Sequence, residues 1–180
     1  AKDGKAPGAP PSADKPFAEW SKTTKDATRV PGFIPLWKKR DNLYAEIAPE
    51  RMNKPFLSIV SFARGIGSNY TLGGLPLDDR MLEFQRSGDR VLLVECNTRF
   101  VAPAGTPIDR ARDLSVGNSV IASFKIESEQ DSSKAVLVDL ASVLVSDMTD
   151  LGARLQGALG NVSVRFDKER KALGTTKNFP

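Results

Sequence analysis

The chain has 180 residues, enough for one large domain with its own core, and 40% hydrophobic with 27% charged residues place it among sequences that fold. Its 26 basic and 22 acidic residues leave a net charge of +4 with no run of five like charges, which argues against a nucleic-acid-binding face. Histidine is absent and Cys96 is the single cysteine, so this stretch holds no imidazole-based triad, His-Glu-x-x-His zinc helix, cysteine zinc cluster or internal disulfide.

Residues 1–16, AKDGKAPGAPPSADKP, contain no large apolar side chain. Such a segment cannot bury enough surface to offset the entropy of ordering it, so it is expected as an extended arm that orders only along another surface. Pro7, Pro10 and Pro11 are its candidate partner contacts. Residues 17–180 are read as a single β-rich domain, with small helices from about residue 140. PFAEWSKTTKDA predicts a short helix with Phe17, Trp20 and Thr24 near one face, ended by Pro31 and Gly32. GFIPLWKKRDNLYAEI predicts a hairpin with strands at 33–37 and 43–47, a polar turn at 38–42, and Pro35 marking an edge strand. Trp37, Lys38, Lys39 and Arg40 on that hairpin are candidate partner contacts, since tryptophan and arginine are enriched at binding hot spots. Trp20 and Trp37 read more readily as core aromatics than as contacts.

FLSIVSFAR, residues 56–64, alternates as a strand and runs into RGIGSNYTLGG. A phosphate cradle would need a third fingerprint glycine or a Gly-Lys-Ser/Thr ending, followed by a helix. Here LPLDDRMLEFQR predicts another strand, so the glycines join two strands. MLEFQR and RVLLVECNTRFV (90–101) form a hairpin around Ser87-Gly88-Asp89, with Cys96 as a small buried thiol. PIDRARDLSVGNS predicts one helical turn; SVIASFKIESE (119–129) and KAVLVDLASVLV (from 134) predict two further strands. Five or six strands at hairpin spacing predict a mainly β fold, an antiparallel sheet curled into a sandwich or half-barrel with short capping helices. Leu151, Leu155, Ala158 and Leu159 recur at helical spacing, and DKERKAL predicts a second small helix. Asp78 and Asp79 point apart in an extended chain, and Asp147, Asp150 and Asp167 are dispersed, so all read as solvated surface. No apolar run approaches the roughly twenty residues of a membrane span; AVLVDLASVLVSDM is interrupted by Asp139.

The order of segments, from KPFAEWSKTTKDATRVPGFIPLWKKRDNLYAEIAPE through KPFLSIVSFARGIGS, MLEFQRSGDRVLLVECNTRFVA and NSVIASFKIESEQDSSKAVLVDLASVLVSD to RFDKERKALGTTKNFP, resembles the amino-terminal portion of large exported bacterial zinc-dependent metalloproteases. In that family two domains of unknown function precede the catalytic domain. The likeness covers about residues 15–180 and is carried by Tyr-x-Glu-Ile, by Pro-Phe-Leu before a glycine-rich loop, and by Asp-Lys-x-Arg running into Asn-Phe-Pro. The family's zinc ligands lie further along, in a His-Glu-x-x-His helix that no position here matches, so the resemblance implies no catalytic residue, metal or cofactor for this chain. A second resemblance, to an extrinsic periplasmic subunit of a bacterial photosynthetic reaction-centre and light-harvesting complex, rests on no motif.

These readings converge on a non-enzymatic, periplasmic or otherwise extracytoplasmic structural subunit, without a small-molecule substrate, docked on the protein subunits of a membrane-embedded complex. Ala1 fits removal of an export signal. The alternative is the non-catalytic N-terminal region of a zinc metallopeptidase.

Overall fold

Apolar residues at every second position build the sheet. In the hairpin Leu36–Lys39 (β2) and Asn42–Ile47 (β3), Leu36, Leu43, Ala45 and Ile47 are buried while Trp37, Tyr44 and Glu46 take the opposite face. A computed structural model describes residues 16–64, 73–147, 149–150, 152–153, 156–157, 167 and 172–180. The molecule is mainly β: the remaining strands, Thr28–Val30 (β1), Phe56–Ser61 (β4), Pro76–Ser87 (β5), Arg90–Glu95 (β6), Ser119–Glu129 (β7) and Val136–Asp139 (β8), complete an eight-stranded sheet in the order β1-β2-β3-β8-β7-β6-β5-β4. Every pairing is antiparallel, and the sheet curls into a half-barrel.

The eleven residues of β7 join the two halves of the sheet. Ser119–Lys125 pair with β6, whereas Ile126–Glu129 pair with β8. Register shifts at Leu93/Val94 and Ile126/Ser128 bend the strands there, as an extra residue on one side of a ladder must. The concave side holds one core of Leu36, Leu43, Ala45, Ile47, Leu82, Phe84, Val91, Leu93, Phe124, Ile126, Val136 and Val138. Where the curl brings the two ends of the sheet near each other, Phe33 packs edge-on against Phe56, their centroids 6.3 Å apart, and Phe56 stacks on Phe84 at 5.3 Å.

Several expected elements differ in extent. The first helix shrinks to Trp20–Thr23 (α1), because Thr28–Val30 is taken up as β1 by pairing with Leu36–Lys38. Pro35 does not mark an edge: β2 has neighbours on both sides, and Pro35 precedes it with its carbonyl accepting from Glu46 N–H at 2.8 Å. The turn narrows to Arg40 and Asp41, since Lys38 and Lys39 pair with Leu43 and Asn42, and Arg40 turns the chain at φ 54°. The strand expected over 90–101 ends at Glu95, and the single helical turn expected near 107 is the ten-residue helix Pro107–Val116 (α2). The last strand stops at Asp139, whose carboxylate accepts from Ala141 N–H at 3.0 Å and starts the short helix Ala141–Leu144 (α3). Leu151, Leu155, Ala158 and Leu159 lie outside the described residues, as does most of DKERKAL; Leu173 beyond them packs on the core.

Candidate functional site

Strand alternation places Trp37 on the convex face, where three neighbours fix it. Its indole N–H donates to Glu46 Oε2 at 2.6 Å, Trp20 packs edge-on at 6.3 Å, and the Arg29 guanidinium lies 5.9 Å from its ring centroid. Glu46 also accepts from Arg29 Nε and Nη2 at 3.2 and 3.1 Å, and these bonds hold the guanidinium pKa above its ordinary value. Trp37 is therefore half-buried and structural on one side. Lys38 and Arg40 are exposed and Lys39 is half-buried. Lys39 and Arg40 line a hollow of about 330 Å3 with Asp26, Asn42 and Tyr44. The hairpin thus keeps its basic tip, while its tryptophan braces α1. Pro7, Pro10 and Pro11 lie outside the described residues. A groove of about 680 Å3 is lined by Pro16, Phe17, Trp20, Arg86, Glu129 and Lys134.

The most exposed apolar surface lies elsewhere, on the excursion between β6 and β7. Asn97 pins both ends of that excursion: its Nδ2 donates to the Val116 carbonyl, its backbone N–H donates to Asn118 Oδ1 at 2.9 Å, and its Oδ1 accepts from Arg99 N–H at 3.0 Å. Within the excursion Thr106 caps α2 by accepting from Asp109 N–H at 3.2 Å, and Asp109 reaches back to Gly105 N–H at 2.9 Å. Caps of this kind can hold a helix that buries little, and α2 has no buried residue. Between α2 and residues 99–102 runs an apolar groove of about 520 Å3 lined by Phe100, Val101, Ala102, Ile108 and Ala111, with Arg99 and Arg112 among its polar lining. Phe100 is 54%, Val101 88% and Ile108 64% exposed. Arg112 is held by Asp109 and Asp113 at 2.7 and 2.6 Å, so Arg99 is the cation less committed to side-chain partners.

Beneath the excursion lies a small polar hollow holding Glu83, Cys96, Asn97, Arg112 and Asn118. Burial, then the Glu83 carboxylate beside it, pushes the Cys96 thiol pKa above its usual range. That is the environment of an inert thiol, since nucleophilicity requires the thiolate. Among the described residues no group of three or more His, Cys, Asp or Glu side chains is placed to hold a metal ion, and no helix is long and apolar enough to cross a membrane.

The arrangement offers contact surface: a basic hairpin tip, a groove beside the root of the N-terminal arm, and an apolar groove on a capped helix. These define a half-barrel β protein whose most accessible apolar side chains cluster off the sheet. The chain belongs to the family described as a domain of unknown function (DUF5117), whose model matches residues 74–180, the stretch that includes α2 and its groove. No curated protein and no solved structure was found to match it.

The groove was not anticipated from sequence, because RVLLVECNTRFV reads as one continuous strand. The recoverable signal was Thr106-Pro107-Ile108-Asp109, a capping residue, a proline at the first helical position and an acid two residues later.

Proposed function

We propose that this chain works by binding rather than by bond chemistry, as an extracytoplasmic structural subunit that docks on a larger membrane-associated assembly and stabilises it. The observation that carries this reading is the apolar groove between residues 99–102 and α2, where Phe100, Val101 and Ile108 are turned to solvent beside a helix that buries no residue. Large apolar side chains grouped in one concave surface characterise interaction sites, because leaving them in water is unfavourable by about 25 cal/mol per Å2. Arg40 and Lys38 on the hairpin, and Pro7, Pro10 and Pro11 of the N-terminal arm, are the second and third contacts of the proposal. A photosynthetic reaction-centre complex is the assembly that the second resemblance would name.

Purification from native membranes in mild detergent tests the reading. The unaltered chain is expected to remain with the assembly, a Phe100→Asp/Val101→Asp variant to be released while staying folded, and Arg40→Glu to weaken retention at low salt. Retention of both variants, or recovery of the unaltered chain free of any complex, counts against it.

The rival reading is the N-terminal, non-catalytic region of a zinc-dependent metallopeptidase, and membership of a family of unknown function is compatible with it. Intact-mass measurement of the native polypeptide separates the two. A product running several hundred residues past Pro180 and containing His-Glu-x-x-His supports the rival.

A further inference from the structure

The two edges of the sheet are treated differently. At one end β1 is three residues long and carries Arg29 in an ion pair with Glu46, and the Asn178 side-chain amide donates to the Val30 and Ile34 carbonyls at 3.0 and 2.8 Å. A short, charged and capped strand cannot serve as a template for another chain. At the other end β4, Phe-Leu-Ser-Ile-Val-Ser, is six residues long without a charge or a proline. Among the described strands it pairs only with β5, and its outward-facing Leu57 and Ile59 are 59% and 67% exposed. Its one register shift, at Val60/Ser61, leaves Phe56–Val60 regular.

We infer that β4 is a homodimerisation edge, pairing antiparallel with β4 of a second copy about a two-fold axis at Ser58. The strand's own pattern selects this occupant. Antiparallel partners share a face, so a two-fold at Ser58 sets Leu57 against Ile59 of the copy and Phe56 against Val60 of the copy. Apolar residues meet apolar residues on both faces. A shift of the axis to the next bond would set Leu57 against Ser58 or Val60 and place side chains on mismatched faces, which the pleat forbids. With β5 included, a convex row across the seam reads Met81, Leu57, then Ile59 and Asp79 of the copy. Lys54 falls opposite Phe62 of the copy rather than opposite Lys54, so the register brings no like charges face to face. The product is a continuous sixteen-stranded sheet built from two eight-stranded ones. This interface is separate from the α2 groove and stands or falls independently of the docking reading.

The mass of the 180-residue chain in solution, measured by light scattering or sedimentation from roughly 1 µM to 1 mM, tests it. Twice the chain mass is expected at the upper end, lost in Ile59→Lys and in Leu57→Lys, with circular dichroism unchanged because both positions are exposed. Register is read in a Cys96→Ser background by mixing Leu57→Cys with Ile59→Cys chains under oxidation. The mixed disulfide dimer is expected to form several-fold faster than either like pair. A monomer throughout the concentration range, a dimer indifferent to both lysines, equal rates for mixed and like pairs, or capture by β4 of a strand from a different protein alone would overturn the inference.

Discussion

Two carboxylates with opposite consequences show how finely position sets role. Glu46, on the convex face of β3, organises Arg29 and Trp37 and so ties β1 and α1 to the sheet. Its contacts are partly open to water, which limits their contribution to about 1 kcal/mol each. Glu83, 8% exposed, lies beside Cys96 and accepts from Gln85 Nε2 at 2.6 Å. Because burial and this carboxylate both favour the protonated thiol, the folded Cys96 pKa is raised. The associated stability is fully present below the pKa of the unfolded thiol and is lost as pH rises through the folded value. Glu83→Gln removes the charge and keeps the hydrogen-bonding shape, so the Cys96 pKa falls. Alkylation of the native thiol at pH 8 is expected to accelerate, since a lower pKa raises the thiolate fraction that reacts. An unchanged rate would show that burial and the Glu95 carboxylate, rather than Glu83, govern the thiol.

At the scale of elements, legibility followed the length over which a pattern persists. β7 was readable to its ends because its second half alternates, with Phe124, Ile126 and Ser128 buried, and turn formers bound the eleven residues. β1 was not: Thr-Arg-Val has no apolar rhythm, and the helical spacing of Phe17, Trp20 and Thr24 just before it pointed to a longer helix. Tertiary pairing decided both cases, since α1 keeps only the residues left over once Ala18 bridges Ser128, whose hydroxyl donates to the Ala18 carbonyl at 2.8 Å. The basic hairpin tip was legible as a turn, and its tryptophan braces α1. The apolar groove was hidden because chain reversal after Glu95 depends on Asn97 bonding to residues 116 and 118, a contact no local pattern encodes. α2 rests on its caps, which makes it sensitive to them. Thr106→Ala is expected to cost the helix about 1 kcal/mol and, with no core packing to compensate, to raise amide exchange across 107–116 while β6 and β7 stay protected. Unaltered exchange there would mean that packing, rather than capping, holds the helix.

A curled sheet must either close or leave its ends apart, and here side chains from the β1–β2 link bridge the ends. Phe33 lies against Phe56 at the start of β4, the Arg51 guanidinium lies 4.2 Å over the Phe33 ring, and Phe33 N–H donates to the Phe179 carbonyl at 2.6 Å. The neighbouring Gly32 is required because a Cβ there would overlap the Asn178 side chain that closes off β1. The link thus gathers three parts of the chain distant in sequence, and the curl depends on it more than on any ladder between β1 and β4, which do not pair. Phe33→Ala removes the aromatic pair and the cation–π contact but leaves both strands and the backbone bonds intact. Because the ring is partly solvated, the loss is expected to be modest, about 1–2 kcal/mol in denaturant unfolding. Its distribution is the sharper readout. Amide protection should fall in β1 and β4, the two ends that the ring spans, and persist in β7 and β8 at the centre of the sheet, where Val136, Val138 and Ile126 have almost no exposure. A uniform loss across all eight strands would instead mean that the sheet unfolds as one unit and that its curvature comes from the two bulges in β7, at Ile121 and Glu127, rather than from this bridge.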